Sequence, residues 1–424
     1  MRNGRTIDSW ILAGAVAIGT TAARGGALAA EGFEPAPTFK SAEVAPPALL
    51  NGPKHTLAPT AKGDGFLLSF DVKSEFGTWH AIDLEMLDVR VKEVYSLAQL
   101  SDVSKTEIFA QAFGKAAEEK ARAVGRAVSD PVGTAKAIPG GVARFAKGVA
   151  RTAKGTADSV VANQKDAPAD DRTTTDKAQD AAVAGASAAG DALVAGKRRE
   201  WAQKVGADPY TTNQQLSDKL DEVAWTAYAG GFALNFAVPS IPGLGMVETA
   251  DKLVYDLPPG DLQKRNDDKL KAAGITDAAR KALFVNRNFT PTIETELVDA
   301  IAALGAAQGK SLLVSLAAES KTEGDARYIR RCVQMLAAGA KEVGGWRGFT
   351  TSRNEIEAVT PELRVVLPWA VGYMTWNAET VPVMTAPVQA ATAREVWISG
   401  VATDKAKQEL KARGFAVLEK RPVK

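Results

Sequence analysis

Apolar positions along the chain follow two periods, one of two residues and one of three to four. Phe66, Leu68, Phe70 and Val72 alternate with Leu67, Ser69, Asp71 and Lys73, the pattern of a half-buried strand. Ser74 to Gly77 reads as a turn, and Thr78 to Leu84 as the second strand of a hairpin. Leu87, Val91, Val94 and Ala98 then recur at helical spacing. Ser104 and Glu107 have the spacing of a capping box, with Val103 and Ile108 at the staple positions. They predict a helix through Phe109, Ala112, Phe113 and Ala116 that stops near Asp130-Pro131.

Further on, Thr212 and Gln215 form another expected capping box, followed by Leu216, Leu220, Val223 and Ala227 on one face. Thr290-Pro291 starts a helix carrying Ile293, Leu297, Ile301 and Leu304, with Gly305 as its stop. Thr322 to Val343 reads as one more, with Ile329, Val333 and Leu336 inward. Leu363 to Trp376 is rich in strand formers, and Glu395 to Ser399 is strand-like. Thr403 to Arg413 reads as a short helix closed by Gly414, and Phe415 to Leu418 as a returning strand.

The expected fold is α+β and predominantly helical: a hairpin with helices, an irregular central bundle and a small strand–helix–strand module. The expected segments are a signal peptide (1–29), a proline-rich linker (30–64), and a hairpin with basic amphipathic helices (65–162). A mobile Ala/Asp/Thr-rich connector (163–198), a helical domain (199–350) and a C-terminal module (351–424) follow.

The first segment is an address. Arg2 and Arg5 precede the apolar run Trp10–Gly19, and Ala27-Leu28-Ala29 has the form of a cleavage site. Cutting after Ala29 leaves 49 basic and 49 acidic residues, from 52 Lys+Arg and 50 Asp+Glu in the whole chain. The only cysteine, Cys332, is remote from the cut, so no lipid anchor is expected there. We expect a periplasmic or envelope-associated protein with no stable transmembrane span. Val223 to Val247 is free of charge, but Pro239 and Pro242 leave 16 residues before the break, roughly 24 Å of helix against a core of about 30 Å.

Charge is uneven within this neutral chain. Between Gly114 and Gly155 stand nine basic residues against Glu118, Glu119 and Asp130. Arg144, Lys147, Arg151 and Lys154 share one helical face, and Val142, Phe145 and Val149 lie nearly opposite. Gly141, Gly148 and Gly155 weaken such a helix by roughly 2–3 kcal/mol, whereas burying its apolar residues returns at most about 5–8 kcal/mol. It is therefore stable only when docked, on a lipid surface, a partner or its own core. Val142, Arg144, Phe145, Lys147, Val149, Arg151 and Lys154 are the expected binding residues.

Catalytic signals are weak. Gly305-Ala-Ala-Gln-Gly309-Lys310-Ser311 resembles a phosphate loop, but it is one residue short and follows a helix where a strand is needed. His55 and His80 belong to no paired-ligand spacing, and no metal or cofactor is expected. Arg330 and Arg331 beside Cys332 could lower its pKa, as a nucleophile requires.

The expected function is thus a non-catalytic cell-envelope protein whose basic arm docks on anionic lipid or an envelope protein. The alternatives are a hydrolase-like periplasmic enzyme with an interdomain cleft and a binding protein for a small apolar ligand. A neutral exported chain does not suit nucleic acid.

Overall fold

The structure is a computed structural model describing residues 32–129, 191–231, 252–352, 355–378, 381 and 393–423. It is α+β with helix predominating, as the spacing predicts. Its contacts divide it into two compact units, residues 1–94 with 263–424, and residues 95–262.

The first unit opens with an antiparallel sheet: β1 (Thr38–Lys40), β2 (His55–Leu57), β3 (Thr60–Gly63), β4 (Leu68–Ser74) and β5 (Gly77–Ile82). The strands run in the order β1-β3-β4-β2, with β5 on β4. The expected hairpin is β4–β5, with Asp71 opposite His80, and Leu68, Phe70 and Val72 are buried as the alternation requires. The expected linker at 30–64 is corrected. Residues 38–63 carry three strands, the short helix α1 (Ser41–Val44) and a 3-10 turn (Pro47–Leu49). Strands of three or four residues show no period of their own, and these are held by their partners in the ladder. His55 is accordingly buried, with Nε2 at 3.2 Å from the Leu49 carbonyl oxygen.

Helix α2 (Asp83–Ser104) follows, with Leu87, Val91, Val94 and Ala98 buried. The second unit holds α3 (Glu107–Ser129), α4 (191–204), α5 (Gln214–Ala229) and α6 (Leu253–Asp256). Residues 191–198, expected in the connector, are helical and belong to α4. Arg198 there donates to the Pro209 carbonyl at 2.8 Å and the Ser217 carbonyl at 3.1 Å, which fixes the approach to α5. The cap of α5 is Asn213, which accepts from the Leu216 N–H, and Thr212 is passed over.

The chain re-enters the first unit along α7 (Pro259–Ala272), then forms α8 (Asp277–Val285), α9 (Pro291–Ala303), α10 (Lys310–Ala318) and α11 (Glu323–Gly339). Thr290 caps α9 as expected, accepting from the Ile293 N–H. Next come β6 (Gly348–Ser352), β7 (Glu355–Val359), β8 (Arg364–Trp369), β9 (Tyr373–Met374), β10 (Ala393–Ile398), β11 (Val401–Ala402), α12 (Asp404–Ala412) and β12 (Phe415–Leu418). Five of these strands make a sheet in the order β12-β10-β8-β7-β6; β8, β10 and β12 are parallel, and β6 and β7 antiparallel.

The expected break at 350 falls inside β6, and one hydrophobic core runs from Leu270 to Trp397 across it. The reason lies in β8 and β10. Val366, Ala370 and Trp397 face the core shared with α8–α11, whereas Val365, Leu367, Trp369, Val396 and Ile398 face a second core with Ala406 and Leu410 of α12. A parallel sheet with both faces apolar has to be covered on both sides. Helices, sheet and α12 therefore form three layers.

Candidate functional site

The expected binding residues Val142, Arg144, Phe145, Lys147, Val149, Arg151 and Lys154 lie outside the described residues, as does the signal peptide. The root of the arm, α3, is described. Its cap is Thr106, whose Oγ accepts from the Phe109 N–H at 3.2 Å; Ser104 still belongs to α2 and donates to the Leu100 carbonyl at 3.0 Å. Phe109, Ala112 and Ala116 form the buried face of α3. Gly230, at the end of α5, lies against it so closely that an added Cβ would stand 2.2 Å from the Ala112 carbonyl oxygen. On either flank of this face Ile108 is 59% and Phe113 47% exposed, Phe113 stacking on Phe109, and Lys115 is exposed as well. This is amphipathic packing on a narrow seam of small residues, with large apolar side chains left in water.

The densest chemistry is interior and surrounds α11. Its cap is a capping box in which Thr322 and Asp325 exchange bonds with each other's backbone, and Arg327, Arg330 and Arg331 follow on one face. Arg330, almost wholly buried, is paired with Glu85 of α2 and Glu296 of α9. Arg327 reaches Glu85 at 3.0 Å and Glu323 at 2.7 Å, and Arg331 is paired with Asp83. Burial works to raise the Glu85 carboxyl, but Arg330 and Arg327 outweigh it and hold it below the usual carboxylate range. Asp83 stands at φ 70°, a strained backbone for a residue with a Cβ. Its carboxylate caps its own helix, accepting from the Leu84 N–H at 2.7 Å. Arg330 and Arg331 pair with carboxylates, and the lowering effect of Arg331 on the neighbouring Cys332 thiol is outweighed by burial, in keeping with a small hydrophobe in a helix interior.

The Cys332 thiol faces the other way and is buried. Burial pushes its pKa up to about 12, which holds the thiol protonated at neutral pH. Tyr328, whose hydroxyl lies beside it, is likewise raised by burial. Glu355 accepts from the Trp369 indole N–H at 3.0 Å, and burial raises its pKa to about 7. A second such carboxyl is Glu294, also raised to about 7 by burial, which accepts from Asn266 Nδ2 at 2.9 Å. Neither Glu355 nor Glu294 was singled out by spacing, because nothing in the pattern marks a carboxyl as sitting beneath a tryptophan or an asparagine.

The remaining sequence candidates are internal or exposed scaffolding. Lys310 Nζ donates to the Gly305 carbonyl at 2.6 Å, so the phosphate-loop lookalike folds onto itself. Ser311 Oγ accepts from the Thr276 N–H at 3.0 Å. His80 Nδ1 lies 3.0 Å from Asp71 Oδ1 on the open face of the hairpin, with both side chains more than half exposed. Among the described residues no cluster of three or more His, Cys, Asp or Glu could hold a metal ion, and no helix is long and apolar enough to cross a membrane. Comparison of the chain with family models, with curated proteins and with solved structures finds no match.

Proposed function

We propose that the chain is an exported, non-catalytic protein of the cell envelope that docks on an anionic lipid surface through the basic arm beginning at α3. The observation that carries this reading is the pair Ile108 and Phe113, which flank the buried face of α3 on its two sides and stand 59% and 47% exposed, with Lys115 exposed about two turns beyond Ile108. The helix is followed by a stretch in which Arg144, Lys147, Arg151 and Lys154 oppose Val142, Phe145 and Val149. Apolar residues opposite cations suit the interface of an anionic bilayer, where rings and methyl groups enter the acyl boundary and cations meet lipid phosphates. The interior supports a scaffold reading, since Arg327, Arg330 and Arg331 are engaged by carboxylates and Cys332 is protonated.

Co-sedimentation with vesicles of phosphatidylcholine and phosphatidylglycerol, and of phosphatidylcholine alone, tests it at low and moderate salt. Binding to the anionic vesicles that weakens as salt rises is expected. No binding to them, or equal binding to both kinds, overturns the lipid reading and leaves a protein partner for the arm.

A further inference from the structure

We propose that residues 32–37 form a latch over the β9–α12 segment, one that opens as a separate unit while the rest of the fold stays closed. This goes beyond the docking reading and does not depend on it. Glu34 is the centre of the latch. Its N–H donates to the Trp376 carbonyl at 2.7 Å. Its carboxylate Oε2 accepts from the Trp376 N–H at 2.7 Å and from the Thr403 hydroxyl at 2.7 Å. Thr403 is the cap of α12, and its oxygen also accepts from the Ala406 N–H. One carboxylate therefore joins the chain after β9 to the start of α12. At the root of the latch, in β1, Phe39 makes an edge-to-face contact with Tyr373, ring centroids 4.5 Å apart.

The segment is built to lie extended. Pro35 and Pro37 fix φ and have no N–H to leave unpaired, which lowers the entropy lost on closing. The Pro37 carbonyl accepts from the Gly63 N–H at 2.8 Å. Gly63 makes room for the proline ring: a Cβ there would stand 2.7 Å from Pro37 Cγ.

Two features make the latch a separate unit. Gly32, Phe33, Pro35 and Ala36 are exposed and residues 32–37 are held by a few hydrogen bonds, the profile of a low-energy local opening, whereas β1 beyond them is anchored in the ladder to β3. Its bonds also join residues 342 and 369 positions apart, contacts that close late because the chain between them must be ordered first. When it opens, the Trp376 N–H and carbonyl lose their partners on Glu34.

Hydrogen exchange on the full chain tests this with Glu34→Ala, Glu34→Gln and Gly63→Val. In Glu34→Ala, and in Gly63→Val where the side chain displaces Pro37, the Trp376 amide is expected to exchange about tenfold faster or more, while β8 and β10 keep their protection and the refolding rate is unchanged. Glu34→Gln, which keeps an acceptor, is expected to retain most of the protection. Exchange at Trp376 that does not change, or that rises together with β8 and β10, overturns the proposal. So does slower refolding of Glu34→Ala.

Discussion

Glu355 and Glu294 titrate near pH 7 in the fold, against an ordinary value of 4.5, because burial disfavours their charged forms. The folded state thus binds more protons than the unfolded chain between about pH 4.5 and 7. This contribution to stability is complete below the unfolded value and is lost as pH rises through 7. The full difference is on the order of 3 kcal/mol per group. Glu85 and Asp267 work in the opposite sense: guanidinium and ammonium neighbours overcome their burial and hold them low, so their contribution is lost in acid. Stability is therefore expected to peak near pH 5. Thermal unfolding followed from pH 8 to 5.5 should show a rising Tm, with a smaller rise in Glu355→Gln; a flat or falling Tm would contradict the burial of these acids. Cys332 permits a second check. With its thiol pushed up to about 12, it should stay unlabelled by a thiol reagent at pH 8 until the protein unfolds, and labelling of the native state at the rate of a free thiol would refute the assignment. The sequence placed Cys332 within a helix beside two arginines but could not reveal its burial or the direction of its neighbours' side chains.

Helix α11 shows what is and is not legible at the level of an element. Its apolar face, Ile329, Val333 and Leu336, is readable from spacing and is buried. Its polar face is ambiguous in the sequence, since arginines three and four residues apart also suit a solvated surface. Here they meet Glu323 within the helix and Asp83, Glu85 and Glu296 from other elements of the chain. Breaking a buried ion pair by removing one partner costs about 3–5 kcal/mol. Arg330→Met should therefore lower stability by that order, measured by urea unfolding. Adding Glu296→Leu should recover part of the loss, because it removes a carboxylate the first change leaves unpaired. If the double variant is less stable than the single by the full cost of Glu296→Leu alone, the two residues are uncoupled. Helix caps failed in sequence for a related reason. Ser104 and Thr106, or Thr212 and Asn213, are alternatives within one or two residues, and the end of the preceding segment decides between them. Where one cap residue precedes a proline, as at Thr290-Pro291, the boundary was legible.

For the whole molecule, the class and most of the elements were readable, whereas the partition was not. Periodicity reports which face of a segment is buried, not which distant segment covers it. The N-terminal sheet and the C-terminal layers thus read as separate parts, although both belong to one unit, and 38–63 reads as linker because its strands are too short to show a period. The docking reading also belongs to this scale. Each cation near an anionic surface contributes about 1 kcal/mol, so changing Arg144, Lys147, Arg151 and Lys154 to glutamine should weaken vesicle binding by roughly three orders of magnitude. Unchanged co-sedimentation of that variant would remove the arm from the proposed interface. The doubly covered sheet has a further consequence for the chain before it is folded. Val365 to Val371 is seven uncharged residues, a segment suited to stacking with its own copies when uncovered. Pro368, an unusual occupant of an inner strand, lies in the middle of it, and Arg364 stands just before it. A residue without an N–H to give the ladder is expected to hinder such stacking, so Pro368→Val should raise aggregation during refolding, followed by light scattering, and unchanged scattering would refute that role.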